Sequence, residues 1–177
     1  HAIEATLRSI PFWQSDAWGF VLMGYGSPDY IEYLYALAAE LKITGQFAVL
    51  PRVGYDALEC FTPGADVGHG LYEPAHVNNM HITTASNKIM EYMAAGLPLL
   101  VSDRPGLRQL VETHHCGVVA DESDPASIAL AVNTLLNDPQ QAKQMGAAAL
   151  HAFETQFCYE QQFAPVLNWI HTVDVSV

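Results

Sequence analysis

A chain of 177 residues, half of them hydrophobic, is long enough to bury roughly 70% of its unfolded surface, so one compact domain is expected. Seven lysines and arginines stand against nineteen aspartates and glutamates, a formal net charge of −12. Such a surface repels DNA, RNA and anionic lipid, and no apolar run approaches the ~20 residues of a membrane-spanning helix, so nucleic-acid and direct membrane roles are set aside.

In chain order, Ile3 to Ile10 carries a helical pattern, so the chain opens inside or just before a helix. His1 is not a start methionine, and a piece of a longer or processed polypeptide is expected. Gly19 to Met23 reads as a buried strand running into Gly24-Tyr25-Gly26. Ser27 and Pro28 then open a helix to about Leu41. Phe47–Leu50 is a second strand, Tyr55–Phe61 a short helix, and Ala65–Gly68 a third strand, followed by a long polar segment over 69–84. A helix after Ser86 leads to a strand near Leu99, a helix over Leu107–Thr113 and a strand at Val118–Ala120. Helices over Ala126–Leu136, Pro139–Phe153 and Tyr159–Thr172 complete the pattern.

Alternating strands and helices give an α/β fold class: a Rossmann-like parallel sheet with helices on both faces and right-handed crossovers. Ligands of such sheets sit beyond the carboxyl ends of the strands. Gly24, Arg52, the 69–84 segment and Ser86 all fall there.

The stretch from Ser86 to Asp103 is the most informative. Ser86 and Asn87 are caps, Lys88 and Glu91 share one helix face, and Ile89, Tyr92 and Met93 pack inward. Gly96 ends the helix before the apolar run from Leu99. A helix start of this kind, with a lysine beside it, suits an anionic ligand such as a diphosphate. Read alone it is an ordinary capped helix.

The ordered set resembles the C-terminal lobe of GT-B glycosyltransferases, specifically the group 1 glycosyltransferase family. The pieces that carry the resemblance are Val21-Leu22-Met23-Gly24-Tyr25-Gly26, Val49-Leu50-Pro51-Arg52-Val53-Gly54-Tyr55, Ala65-Asp66-Val67 and the block Asn87 to Pro98. The stretch from Phe157 to Trp169 looks like the family's closing helix, which packs back toward the other lobe. Together they span nearly the whole chain.

The resemblance implies a nucleotide-sugar-binding Rossmann-like lobe over 1–177 that holds a UDP-, GDP- or ADP-sugar, with no cofactor beyond that donor. Glu91 matches the glutamate that accepts the ribose hydroxyls; a carboxylate takes two O–H donors at once. An exposed glutamate paired with Lys88 is the alternative. Gly24, Tyr25 and Gly26 correspond to the turn that lets backbone approach the diphosphate, or to a plain strand-to-helix turn. Arg52 and Val53 fall where the base is held, and Arg52 reads equally as a surface cation. Lys88 would help neutralise the diphosphate, and the helix end at Ser86-Asn87 would stabilise it together with basic groups outside this chain.

Two departures stand out. Many relatives carry a second glutamate eight residues before the one matched by Glu91, but Thr83 stands there. Glu73 is the nearest acid, a candidate sugar contact and otherwise a solvated loop carboxylate. The family's arginine and lysine before the first helix fall upstream of His1, and Arg8 is too far along the helix to replace them.

Three odd, widely spaced cysteines, Cys60, Cys116 and Cys158, read as reduced thiols of a cytoplasmic protein, at the inner membrane face if the absent lobe carries it there. His69, His76 and His81 fit no zinc spacing, so no metal site is expected; one of them is a candidate contact to sugar or acceptor. No arrangement for hydrolase chemistry stands out. The expectation is the donor lobe of a retaining hexosyltransferase in cell-surface polysaccharide or glycan synthesis, inactive without an N-terminal acceptor lobe of the same polypeptide. A nucleotide-sugar epimerase lobe and a non-catalytic binding module are the alternatives.

Overall fold

A computed structural model describes residues 2–74, 77–80, 82 and 85–172, apart from the side chains of Glu59, Asn78 and Met80. Its strands are all parallel. β1 (Phe20–Gly24) pairs with β2 (Phe47–Pro51), Phe20 beside Phe47 and Gly24 beside Pro51. β3 (Gly68–Gly70), β4 (Leu99–Ser102) and β5 (Gly117–Ala120) follow in that spatial order.

One continuous sheet was expected; the ladder instead falls into two groups, and among the described residues neither β1 nor β3 pairs on its other side. Apolar packing, not ladder hydrogen bonds, joins the groups. α1 (Ile3–Ser9) and the turn after it place Leu7 and Ile10 against Phe20 and Phe47, while Ala2 lies with Leu71 and Leu100. The Ala2 N–H donates to the Leu71 carbonyl at 3.5 Å, and the rings of Phe20 and His69 meet at 4.8 Å between centroids.

β4 is buried at every residue, which suits a strand covered on both faces. Leu99 and Val101 pack on α5 (Asn87–Ala94), α6 (Pro105–His114) and α8 (Pro139–Ala152) through Ile89, Met93, Leu107, Val111 and Ala149. Leu100 faces the opposite way, onto Ile128 and Val132 of α7 (Pro125–Asn137). Helices thus lie on both faces of the β3–β5 group. The face of β1–β2 carrying Phe20 and Leu22 packs on α1 and α2 (Pro28–Glu40), whereas Val21 is exposed.

The helix starts follow their capping residues. Ser27 Oγ accepts the Tyr30 N–H at 3.3 Å, Asp124 takes the Ala126 N–H at 2.9 Å, and Asp138 takes the Gln141 N–H at 2.8 Å. α6 begins at Pro105, ahead of the apolar pattern at Leu107, because proline fits the first helical turn.

The third strand is displaced from the expected Ala65–Gly68 to Gly68–Gly70, since the 3₁₀ turn Thr62–Gly64 still holds Ala65. Its two glycines are required by close approach: a Cβ at Gly68 would run into the Tyr92 ring, and one at Gly70 into Ile89, both on α5. Within the polar segment, α4 (Val77–Met80) forms a single turn. α3 (Tyr55–Phe61) follows β2, and α9 (Tyr159–Thr172) closes the described chain, with Tyr159, Val166, Leu167, Trp169 and Ile170 exposed. Among the described residues no helix is long and apolar enough to cross a membrane.

Candidate functional site

The expected residues fall into two groups, one at the carboxyl ends of β1 and β2 and one at the start of α5, beyond the end of β3. β1 delivers the glycine turn. Gly24 has φ +154°, a conformation that residues with a Cβ rarely adopt, and open space surrounds it. Gly26 has no such φ, and a Cβ there would make only ordinary contact with Ile31. Tyr25 is exposed, and the Arg52 guanidinium lies 5.9 Å from its ring centroid. The β1 and β2 ends are therefore tied by an aromatic–cation contact at solvent, with half-buried Val53 beside it.

α5 supplies the second group. Ser86 is buried, and its Oγ accepts the Ile89 N–H at 3.3 Å, which caps the helix. Asn87 is exposed at the first turn. The Lys88 ammonium sits 5.2 Å from the ring centroid of Tyr72, just beyond β3. Burial pushes the Lys88 pKa down to about 8, against an opposing pull from the Glu91 carboxylate. Glu91 is partly buried; that burial raises its pKa, and the Lys88 charge works the other way. Lys88 and Glu91, three residues apart on α5, thus influence each other electrostatically.

Glu91 also lines a groove of about 220 Å³ between α3 and α5, whose other walls are Tyr55, Leu58, Thr62, Pro63, Ala94 and Ala95. The groove is mostly apolar, and Glu91 is its one carboxylate among the described residues. Sequence reading missed the α3 side of this groove; the aromatic Tyr55 at the start of the helix after β2 was the available signal.

Glu73 is exposed, and its backbone carbonyl accepts from Asn79 Nδ2 at 2.9 Å. Its charge contributes to raising the Tyr30 pKa to about 12, mainly an effect of burial and of the nearer Glu4. Glu73 therefore stands on the side of the site that faces α2. Arg8 is exposed in the last turn of α1, and the opposite end of that helix meets Leu71 at the β3 terminus, so Arg8 lies away from the strand ends.

Two further arginines and one candidate histidine are engaged elsewhere. Arg104 pairs with the buried Glu122, and Arg108 is held by Asp103 at 2.7 Å and by Glu112 at 2.9 Å. His69, a candidate ligand contact by sequence, points into the α1 interface, where Nε2 meets Thr6 Oγ1 at 2.9 Å. It keeps some accessible surface but sits deep among protein atoms, and that burial pushes its pKa down to about 3. His76, His81 and Thr83 lie outside the described residues. Among the described residues no group of three or more metal-ligating side chains converges.

Residues 6–151 match the family described as glycosyl transferases group 1. A D-inositol 3-phosphate glycosyltransferase of Thermomonospora curvata is 28% identical over 143 residues, covering 81% of this chain and 29% of that protein. HepE of Anabaena, solved with UDP and glucose, superposes with a TM-score of 0.74 at 16% identity, over 96% of this chain and 44% of that one. Sucrose-phosphate synthase of Thermosynechococcus elongatus superposes with a TM-score of 0.73 at 18% identity, over 98% and 43%. The chain spans less than half the length of each of these relatives.

Proposed function

This chain belongs to the glycosyl transferases group 1 family, and on that premise we propose that it is the donor-binding lobe of a retaining glycosyltransferase. It holds a UDP-, GDP- or ADP-sugar and presents the sugar to an acceptor bound by an N-terminal lobe of the same polypeptide. The observation that carries this reading is α5 itself, whose capped start holds Lys88 over Tyr72 and whose Glu91 lines a groove against α3. The UDP and glucose in the Anabaena neighbour support a nucleoside-diphosphate sugar as the donor.

Each residue then has a task set by its chemistry. In transfer, the bond from the sugar's anomeric carbon to the diphosphate oxygen breaks. A bond to an acceptor hydroxyl forms, and that hydroxyl's proton passes to the departing diphosphate, which leaves with the bonding electron pair. Charge grows on the diphosphate, and Lys88 with the start of α5 stabilises it. Glu91 accepts the ribose hydroxyls, the α3 side of the groove takes the base with Arg52 and Val53, and Glu73 is the candidate sugar contact. A role in cell-surface polysaccharide or glycan assembly accords with this chemistry.

The test is turnover. A protein carrying both lobes is expected to transfer radiolabelled sugar from a nucleotide donor to acceptor, and this chain by itself is not. Transfer by the isolated chain would contradict the lobe assignment, and inverted sugar formed from donor alone would make it an epimerase.

A further inference from the structure

Tyr72 joins three elements. It follows β3, is 3% exposed, and packs in the core with Ile89, Met93, Leu99 and Val101. Its N–H donates to Ser102 Oγ at the end of β4, 2.7 Å away. Its hydroxyl is hydrogen-bonded to Ser86 Oγ, the atom that caps α5. Its ring lies under the Lys88 ammonium. A tyrosine fixed at backbone, hydroxyl and ring has little freedom left, so whatever rests on that ring inherits its position.

We infer that Tyr72 is a positioning residue for anion binding: its ring face holds the Lys88 ammonium where a diphosphate arrives at the start of α5. This rests on Lys88 being the diphosphate cation of the function proposed above. A cation over an aromatic face is attracted by the ring's negative quadrupole, and partial burial strengthens that attraction. Lysine has a flexible four-carbon stem, so a platform that selects one direction removes part of the ordering cost of binding. Among the described residues, the charged and titratable groups around Lys88 include Glu91 on its own helix, Tyr72 beneath it and His69 on β3. Glu91 attracts the ammonium along the helix; the Tyr72 ring, just beyond β3, gives it a second bearing.

The consequence is specific to phosphate. Loss of the ring's electrostatic face should weaken a nucleoside diphosphate and leave the matching nucleoside alone, because the nucleoside makes no use of Lys88. A merely structural role for Tyr72 would weaken both.

The experiment is calorimetric titration of the full 177-residue chain with UDP, GDP and ADP and with uridine, guanosine and adenosine. It compares wild type, Tyr72→Phe and the chain with pentafluorophenylalanine replacing Tyr72, each with and without Lys88→Met. Phenylalanine keeps the ring face, and its fluorinated counterpart keeps the shape but reverses the quadrupole, so the comparison survives any cost of losing the hydroxyl. Tyr72→Phe is expected to hold diphosphate affinity within about threefold, and the fluorinated ring to lose about five- to tenfold, the range for a partly desolvated cation over a ring. Nucleoside affinity should be unchanged, and the fluorinated ring should cost nothing further once Lys88→Met is present. Equal diphosphate affinity for the two rings, or an equal loss for the nucleoside, would overturn the role of Tyr72 alone. No diphosphate binding by wild type would overturn the donor-lobe reading and this inference with it.

Discussion

His69 donates to Thr6. The Thr6 hydroxyl has one proton and gives it to the Ala2 carbonyl at 2.7 Å, so its contact with His69 Nε2 at 2.9 Å requires the imidazole to carry hydrogen on Nε2. The pair ties β3 to α1 across the interval between the two groups of strands, with Phe20 against the imidazole. Burial, with the Lys88 charge beside it, holds this histidine neutral, so it stabilises the fold conditionally.

Acid should destabilise the fold through this histidine, because charging the buried ring costs desolvation while Nε2–H stays in place. The folded His69 pKa is about 3 against an ordinary 6.5, so between those values the unfolded chain binds the proton and the folded one does not. Stability therefore falls as pH drops from 6.5 toward 3, by at most about 1.4 kcal/mol per pH unit from this group. Urea unfolding at pH 7, 6, 5 and 4 should show the decline, and His69→Gln, which keeps a donor for Thr6, should remove this group's share of the slope. An identical slope in the variant would show that other groups set it.

Lys88 should make diphosphate binding fall at alkaline pH. Its unliganded pKa is lowered to about 8 by burial, and the anion binds the charged form. Affinity for the preferred diphosphate should be flat near pH 7 and drop above about 8, approaching tenfold per unit. Lys88→Met should bind weakly with no such dependence. Titration at pH 7, 8, 9 and 10 checks both.

The two glycines after β1 should respond differently to alanine. Gly24→Ala forces a Cβ into φ +154°, a cost of about 1–3 kcal/mol from backbone strain alone, because nothing crowds the position. Gly26→Ala meets only ordinary contact with Ile31 and should leave stability within about 0.5 kcal/mol. Thermal melts of the two variants decide this.

Two serine caps offer a second contrast. Ser86→Ala removes a buried cap and strips the Tyr72 hydroxyl of a partner in the core, for a loss of about 1–3 kcal/mol. Ser27→Ala removes an exposed cap that water can replace, for about 0.5–1 kcal/mol. Chemical denaturation should rank Ser86→Ala as the costlier; equal losses would mean that the Tyr72 contact adds nothing.

Much of the architecture was legible because local signals agreed with the fold. Ser27-Pro28, Asp124-Pro125 and Asp138-Pro139 each start a helix where cap and proline predict it, and the apolar run at Leu99 is the buried central strand. β3 was misplaced because Gly68-His69-Gly70 has poor strand propensity; tertiary packing of Tyr92 and Ile89 selects it. The separation into two strand groups left no trace in the sequence, since hydrophobic periodicity reports which faces are buried and not which edges pair. The residues around α5 were legible through the family-like block, whereas Tyr72 carried no motif. Its importance comes from contacts with Ser86, Lys88 and Ser102, at separations of 14, 16 and 30 residues, that only the fold creates.

The central claim is that this chain binds a nucleoside diphosphate with Glu91 at the ribose. Ligand-observed NMR of the chain with UDP, GDP and ADP at millimolar concentration, repeated with Glu91→Ala, tests it most directly. One diphosphate is expected to show saturation transfer at its ribose protons, and the substitution is expected to abolish it. No transfer from any of the three, or ribose contacts unchanged in Glu91→Ala, would contradict the donor-site assignment.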